Sequence, residues 1–147
     1  MEWSIKHFSQ LTNLEVYEIA QLRIDVFIVE QQIIASDCDN KDLDAYHLQI
    51  RQDNKLVGYL RILDKGVSYP SYSIGRVIIH ESARRQKLGE KMIEAAIQFI
   101  EDKWDGDCIT ISAQAHLTSF YERNGFKIIS EPYIEDGIPH IKMQWKK

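Results

Sequence analysis

Apolar residues recur along this chain with two periods, and the points where the period changes divide it into elements. Residues 2–8 alternate as a short half-buried strand does. Thr12-Asn13-Leu14-Glu15 has the form of a capping box, with Thr12 at the N-cap and Glu15 in the first turn. Behind it Leu14, Tyr17, Ala20, Ile24, Phe27 and Ile28 fall at helical spacing and predict an apolar helix face through about residue 30. Residues 31–45 lose the pattern, turn polar and acidic, and read as an irregular loop with room for a helical turn. Tyr46 to Arg51 and Leu56 to Leu63 read as strands. The turn cluster Gln52-Asp53-Asn54-Lys55 between them predicts a hairpin.

After a loop from Lys65 to Tyr72, a strand is predicted over Ser73 to His80. The helical period returns over Gln86 to Lys103. Leu88, Met92, Ala96 and Phe99 form one line there, and Ile93, Ile97, Ile100 and Trp104 a second beside it. Together they make the broad apolar face of a helix that covers a sheet. Cys108 to Ala113 reads as a strand and His116 to Asn124 as a helix, with Gly125 placed as its C-terminal cap. Phe126 to Ser130 and Ile138 to Trp145 read as the last strands, joined by a polar loop over 131–137. The order predicts an α/β fold in one domain, residues 1–147: a central mixed sheet of about seven strands with helices on both faces. The strand–helix–strand unit over 73–113 reads as a parallel crossover.

Composition narrows the function classes. The chain has 147 residues, 44% hydrophobic and 27% charged, an ordinary globular balance. Its net charge is −4, from 18 basic and 22 acidic side chains, which argues against a nucleic-acid binder. Cys38 and Cys108 sit in no metal or redox spacing, as in a reduced cytoplasmic protein. No segment approaches the roughly 18 apolar residues of a membrane span, and the first residues lack the apolar run of a signal peptide. No partner in a membrane is expected, and no metal. The acidic run Asp37 to Asp44 fails the EF-hand pattern, because Lys41 holds its fifth position and no glycine its sixth. It reads as a solvated loop or as a collar for a cationic amine. Arg61 and Arg76 lie mid-strand, where an unpaired charge is costly, and are expected to pair with acidic loops, Asp44 or Glu30 among them.

The junction after His80 carries the chemistry. A strand runs through Glu81-Ser82-Ala83 into Arg84-Arg85-Gln86-Lys87-Leu88-Gly89-Glu90 and then into the long helix. A helix N-terminus presents unpaired N–H donors and partial positive charge, and Arg84, Arg85 and Lys87 add full charges on an acidic background. A pyrophosphate-bearing ligand fits such a junction. No P-loop or dinucleotide fingerprint is present.

Arg84 to Gly89 resembles the cofactor motif of the GCN5-related N-acetyltransferases: Gln or Arg, two residues, Gly, one residue, Gly or Ala. Arg84 and Gly89 match, and Lys87 stands where glycine is usual. Phe120-Tyr121-Glu122-Arg123-Asn124-Gly125-Phe126 is similar to that family's late helix and its exit strand. Arg23 to Gln31, Asp44 to His47, Ala113 to Leu117 and Glu135 to His140 resemble its ElaA-like branch. The resemblance implies an acetyl-coenzyme A-dependent N-acetyltransferase that moves acetyl to a small or peptide primary amine by direct attack in a ternary complex. It implies that Val77, Ile78 and Ile79 hold the pantetheine arm and that the segment from Arg84 through Arg85, Gln86, Lys87, Leu88 and Gly89 to Glu90 holds the pyrophosphate. It implies Tyr121 near the sulfur, as acid or orienting hydroxyl, and it leaves room for a homodimer. For the base, Glu30 comes first, then His140 and His47; Glu135 and Asp136 flank the same loop. His116 reads as structural. The other reading is a coenzyme A-binding sensor without turnover.

Overall fold

The computed structural model describes residues 1–147. The chain runs β1 (Glu2–His7), α1 (Asn13–Arg23), β2 (Tyr46–Gln52), β3 (Lys55–Leu63), β4 (Tyr72–Ile79), α2 (Leu88–Trp104), β5 (Cys108–Gln114), α3 (Thr118–Arg123), β6 (Phe126–Ile128), β7 (Tyr133–Glu135) and β8 (Ile138–Lys146). The strands form one sheet in the order β1-β2-β3-β4-β5-β8-β6, with β7 on β8. All pairs are antiparallel except β4 with β5, which run parallel on either side of the α2 crossover. This is the mixed α/β sheet expected, with one strand added. β7 lies in the stretch read as a polar loop.

The larger core lies between the sheet and α2. Leu88, Met92, Ile93, Ala96 and Ile100 are buried there with Leu48, Ile62, Ile74, Ile109, Ile111 and Met143. Phe99, Ile97 and Trp104 close its margin. Each large aliphatic side chain so buried contributes roughly 1.5–3 kcal/mol, so this helix is held by its face rather than by its ends.

At Leu14, Tyr17 and Ile24 the first helix presents a different face from the one its spacing predicts, while Phe27 packs on the core as that spacing requires. Ile19, Leu22 and Val26 face the sheet and join Leu56, Tyr59 and Ile78 in a second, smaller core. Leu14 and Tyr17 are 66% and 67% exposed. Beyond Arg23 the helix widens into a π-helical stretch over Ile24–Glu30. There the N–H of Gln31 donates to the carbonyl of Val26, and that of Ile33 to Ile28. The wide turns shift the phase of the helix just before it reaches the sheet's open end.

Candidate active site

The site is built where β4 and β5 part. Their parallel pairing covers only Tyr72↔Ile109 and Ser73↔Thr110. Beyond Ser73 the β5-facing edge of β4 has no strand partner. A bulge adds to the divergence: Tyr59 to Arg61 on β3 spans the same register as Ile78 to Gly75 on β4, so β4 carries one residue more. Arg76 and Val77 have no partner in the ladder, and Arg76 has a left-handed φ of 52°. Bulges bend the strand that carries them. The result is a cavity of about 530 Å³ at the carboxyl ends of the two parallel strands, where open α/β sheets bind ligands.

At one end of this cavity lies the basic junction. The helix starts at Leu88 rather than Gln86. Arg85 and Lys87 take left-handed φ values of 70° and 58°. No side chain caps the helix, and the N–H groups from Arg85 to Glu90 find no acceptor in the chain. Two glycine positions of the motif thus have separate physical reasons. Position 87 needs a left-handed backbone, which Lys87 adopts at a cost of about 1–2 kcal/mol. Position 89 needs a small residue, because a Cβ there would stand 3.2 Å from Cζ of Phe120, a tight contact that leaves room for little more. Arg84 donates from Nε to the carbonyl of Ile79 (2.8 Å) and from its terminal nitrogen to Glu30 (3.0 Å).

Tyr121 lines the middle of the cavity from α3. Its ring packs edge-on against Phe120 and Phe126. It is 7% exposed, and its hydroxyl makes no hydrogen bond within the chain. Burial pushes the phenol up to about 12.

On the β8 side, His140 lines the same cavity. Its Nδ1 meets the carbonyl of Ile138 at 2.8 Å. A carbonyl only accepts, so Nδ1 carries the proton and Nε2 is the free base atom of the neutral ring. Nε2 lies 3.4 Å from Oε2 of Glu135. Tyr133 stacks against the ring and bonds through its hydroxyl to Ser112. The missed strand β7 is what brings Tyr133 and Glu135 here. Its signal was in the sequence: Asp136-Gly137, with left-handed φ values of 52° and 76°, is the two-residue hairpin turn that short strands flank. Sequence reasoning also passed over Ser112, Gln31 and Gln114. The last two are hydrogen-bonded across the cavity mouth at 3.2 Å. His116, read as structural, is exposed on the cavity rim.

Two candidate bases are placed differently from His140. Glu30 lines the cavity but is engaged by Arg84 at 3.0 and 3.2 Å, beside the basic junction. Both of its carboxylate oxygens accept from Arg84. His47 does not line the cavity. It is 2% exposed. Its Nε2 donates to the carbonyl of Asp42 (2.9 Å), and its Nδ1 accepts from the Tyr59 hydroxyl (2.6 Å). Burial holds it below the usual histidine range, so it braces the acidic loop as a neutral ring.

The acidic loop is no collar. Arg23 bonds Asp37 (2.7 Å) and Asp42 (2.6 Å), and Arg61 bonds Asp39 (2.7 Å) and Asp42 (3.1 Å). Arg76 meets Asp37 (3.1 Å) and Asp39 (3.6 Å). The mid-strand arginines pair with this loop as expected, but with these aspartates rather than Asp44 or Glu30. Burial alone would raise the Asp39 carboxyl; the hydrogen bonds and charge of Arg61, with Arg76, outweigh it and hold the group at about 2. Asp42 is likewise lowered, against its burial, by Arg23 and Arg61. A depressed carboxyl stabilises the fold above its unfolded pKa, ~3.9, and loses that contribution as pH falls through its folded value. Thermal unfolding followed from pH 7 to pH 2 should therefore show a falling Tm below about pH 5. An acid-independent Tm would mean the network is not formed in solution.

Residues 16–147 match the acetyltransferase (GNAT) domain family. The ElaA protein of Escherichia coli K12 is 38% identical over 97% of this chain and 95% of that protein. The crystal structure of Escherichia coli ElaA superposes with a TM-score of 0.92 at 37% identity, over 99% of both chains. An acyl-CoA N-acyltransferase from Pseudomonas aeruginosa superposes with a TM-score of 0.93 at 41% identity, again over 99% of both. An aminoglycoside 6'-N-acetyltransferase solved with coenzyme A shares the fold alone, at 13% identity and a TM-score of 0.73. A splayed parallel strand pair, an uncapped helix opening beside it and these likenesses along nearly the whole chain lead to one assignment: the chain belongs to the GNAT acetyltransferase family, in its ElaA-like branch.

Proposed function

We propose that the protein transfers an acetyl group from acetyl-coenzyme A to a primary amine, by direct attack while both substrates are bound. The observation that carries this reading is the row of unaccepted N–H groups from Arg85 to Glu90, beside a cavity lined by Arg84, Gly89 and Tyr121, whose hydroxyl has no partner in the chain. Oriented backbone donors at a helix start suit a diphosphate, and the charges of Arg85 and Lys87 strengthen them. The edge of β4 from Val77 to Ile79 that no strand covers, with only its Ile79 carbonyl taken by Arg84, suits an extended amide-bearing arm, which pairs with a strand edge as a peptide does.

Acetyl-coenzyme A, when bound, supplies the thioester that the amine attacks. The chain's own residues would do the rest. A backbone N–H at the β4 bulge, around Arg76 and Val77, would donate to the acetyl oxygen as negative charge builds there. An amine of pKa ~10 arrives mostly protonated, and Nε2 of His140 is the acceptor for its proton. Glu135 beside Nε2 stabilises the imidazolium that forms, and Ile138 keeps the tautomer. Tyr121 donates to the departing sulfur. A phenol near 12 holds its proton against a thiol of ~8.5, so its role is a hydrogen bond to the thiolate rather than full proton transfer.

Thermal denaturation with acetyl-coenzyme A, coenzyme A, ATP or NAD tests the binding half. A ligand at ~100 times its Kd adds about 2.7 kcal/mol, or about 5–10 °C for a chain of this size. Stabilisation by the two coenzyme A species alone is the expected result. Thiol release with a panel of amines tests the transfer half. Binding with no release on any amine would leave a sensor, and no binding would end the proposal.

A further inference from the structure

Among the residues with left-handed φ that are not glycine, Arg76 alone lies inside a strand; the others occupy turns and loops. Such a backbone costs of order 1–2 kcal/mol and persists only where the surroundings dictate it. A glycine would supply the same turn without strain. An arginine there implies that its side chain has a task. That side chain reaches the acidic loop, where its terminal nitrogen donates to the Asp37 carbonyl at 2.9 Å and its Nε stands 3.1 Å from the Asp37 carboxylate. Asp37 is itself anchored. Arg23 holds its carboxylate at 2.7 Å and its carbonyl at 2.9 Å, and Asp42 holds Arg23 at 2.6 Å. The bulge is thus tied through Asp37 to α1 and to the loop whose Ile33, Ala35 and Ser36 line the cavity.

We propose that Asp37 and Arg76 are positioning residues, a latch that aims the backbone donor of the β4 bulge at the acetyl carbonyl. The inference rests on the acetyltransferase reading above. It adds that a loop nearly forty residues earlier in the chain sets the geometry of the reacting centre. A core ion pair would serve stability alike whatever the ligand. A latch acts only on the ligand that carries the carbonyl.

That difference is the test. Calorimetric titration gives the Kd of acetyl-coenzyme A and of coenzyme A for the full chain, with no acceptor needed. One aimed hydrogen bond makes the acetylated form the tighter ligand by about 5-fold. Arg76→Gln and Asp37→Asn should abolish this preference and leave the Kd of coenzyme A within about twofold. Arg51→Gln, which breaks the part-buried pair with Glu18 outside the cavity, should retain it. With an accepted amine, Arg76→Gln should lower kcat about 10-fold and raise the KM for acetyl-coenzyme A by no more than the about 5-fold lost from its Kd, and Arg76→Lys should recover part of both. Arg76 is more exposed than Arg23, so its variants carry the test if Asp37→Asn does not fold. Variants that keep the preference, or that weaken both ligands equally, overturn the latch. Wild-type protein that binds both forms equally overturns it too while leaving the phosphate site standing. Protein that binds neither removes the acetyltransferase reading and the latch together.

Discussion

Tyr121→Phe should lower kcat about 100-fold, the lower range for loss of one hydrogen-bond donor to the charge that develops at a reacting atom, while leaving the protein as stable as before. The two halves of this expectation have one cause. The ring keeps its edge contacts with Phe120 and Phe126 in the variant. The hydroxyl has nothing to lose within the chain, because burial alone accounts for its raised pKa. Removing a buried hydroxyl that no protein group satisfies is neutral or mildly stabilising. Steady-state kinetics beside a melting curve give the answer. Unchanged turnover would take away the assigned role, and a large drop in Tm would show that the hydroxyl has a structural partner.

Asp42→Ala should cost about 3–5 kcal/mol, the range for stranding a buried charge, which amounts to roughly 10 °C in Tm. Asp42 accepts from Arg23 at 2.6 Å and from Arg61 at 3.1 Å, and both arginines are at most 5% exposed. Its carbonyl also anchors His47. Without the carboxylate, two guanidinium groups stay desolvated with fewer partners, and Nε of Arg61 is already without one. Glu30→Ala is the comparison. Its pair with Arg84 is 41% and 43% exposed, so at most about 1 kcal/mol is at stake. Urea unfolding of the two variants should separate them clearly. Equal losses would show that burial of the network is not what gives it weight.

Site residues differed in how legible they were. The junction proposed to hold phosphate could be read as an uncapped basic helix start because its parts are consecutive: a strand end, a basic turn and a helix start need only local order. Tyr121, which does line the cavity, is singled out by the likeness of its helix and glycine exit to the family's, not by local order. The proposed proton acceptor could not be read. Glu30, His47 and His140 are equivalent as isolated residues, and only packing separates them. Packing gives Glu30 an arginine, seals His47 between Tyr59 and Asp42, and leaves Nε2 of His140 beside the cavity.

The elements show the same division. The face of α2 was legible because its apolar residues form one broad band with charges opposite. On the first helix two stripes satisfy helical spacing. Leu14, Tyr17 and Ile24 make one, Ile19, Leu22 and Val26 the other, and the sheet takes the second. Periodicity cannot say which stripe faces inward when both are apolar.

From its residue pattern alone the chain determines a mixed sheet, the crossover that makes β4 and β5 parallel, and the basic helix start between them. These depend on periodicity, caps and charges near one another in the chain. The tertiary structure alone decided that β4 and β5 part after a single pair of steps, that β7 delivers Glu135 to His140, and that the acidic loop is neutralised by Arg23, Arg61 and Arg76. Each depends on register and on contacts between distant segments, whose energies exist only once the sheet has closed around them.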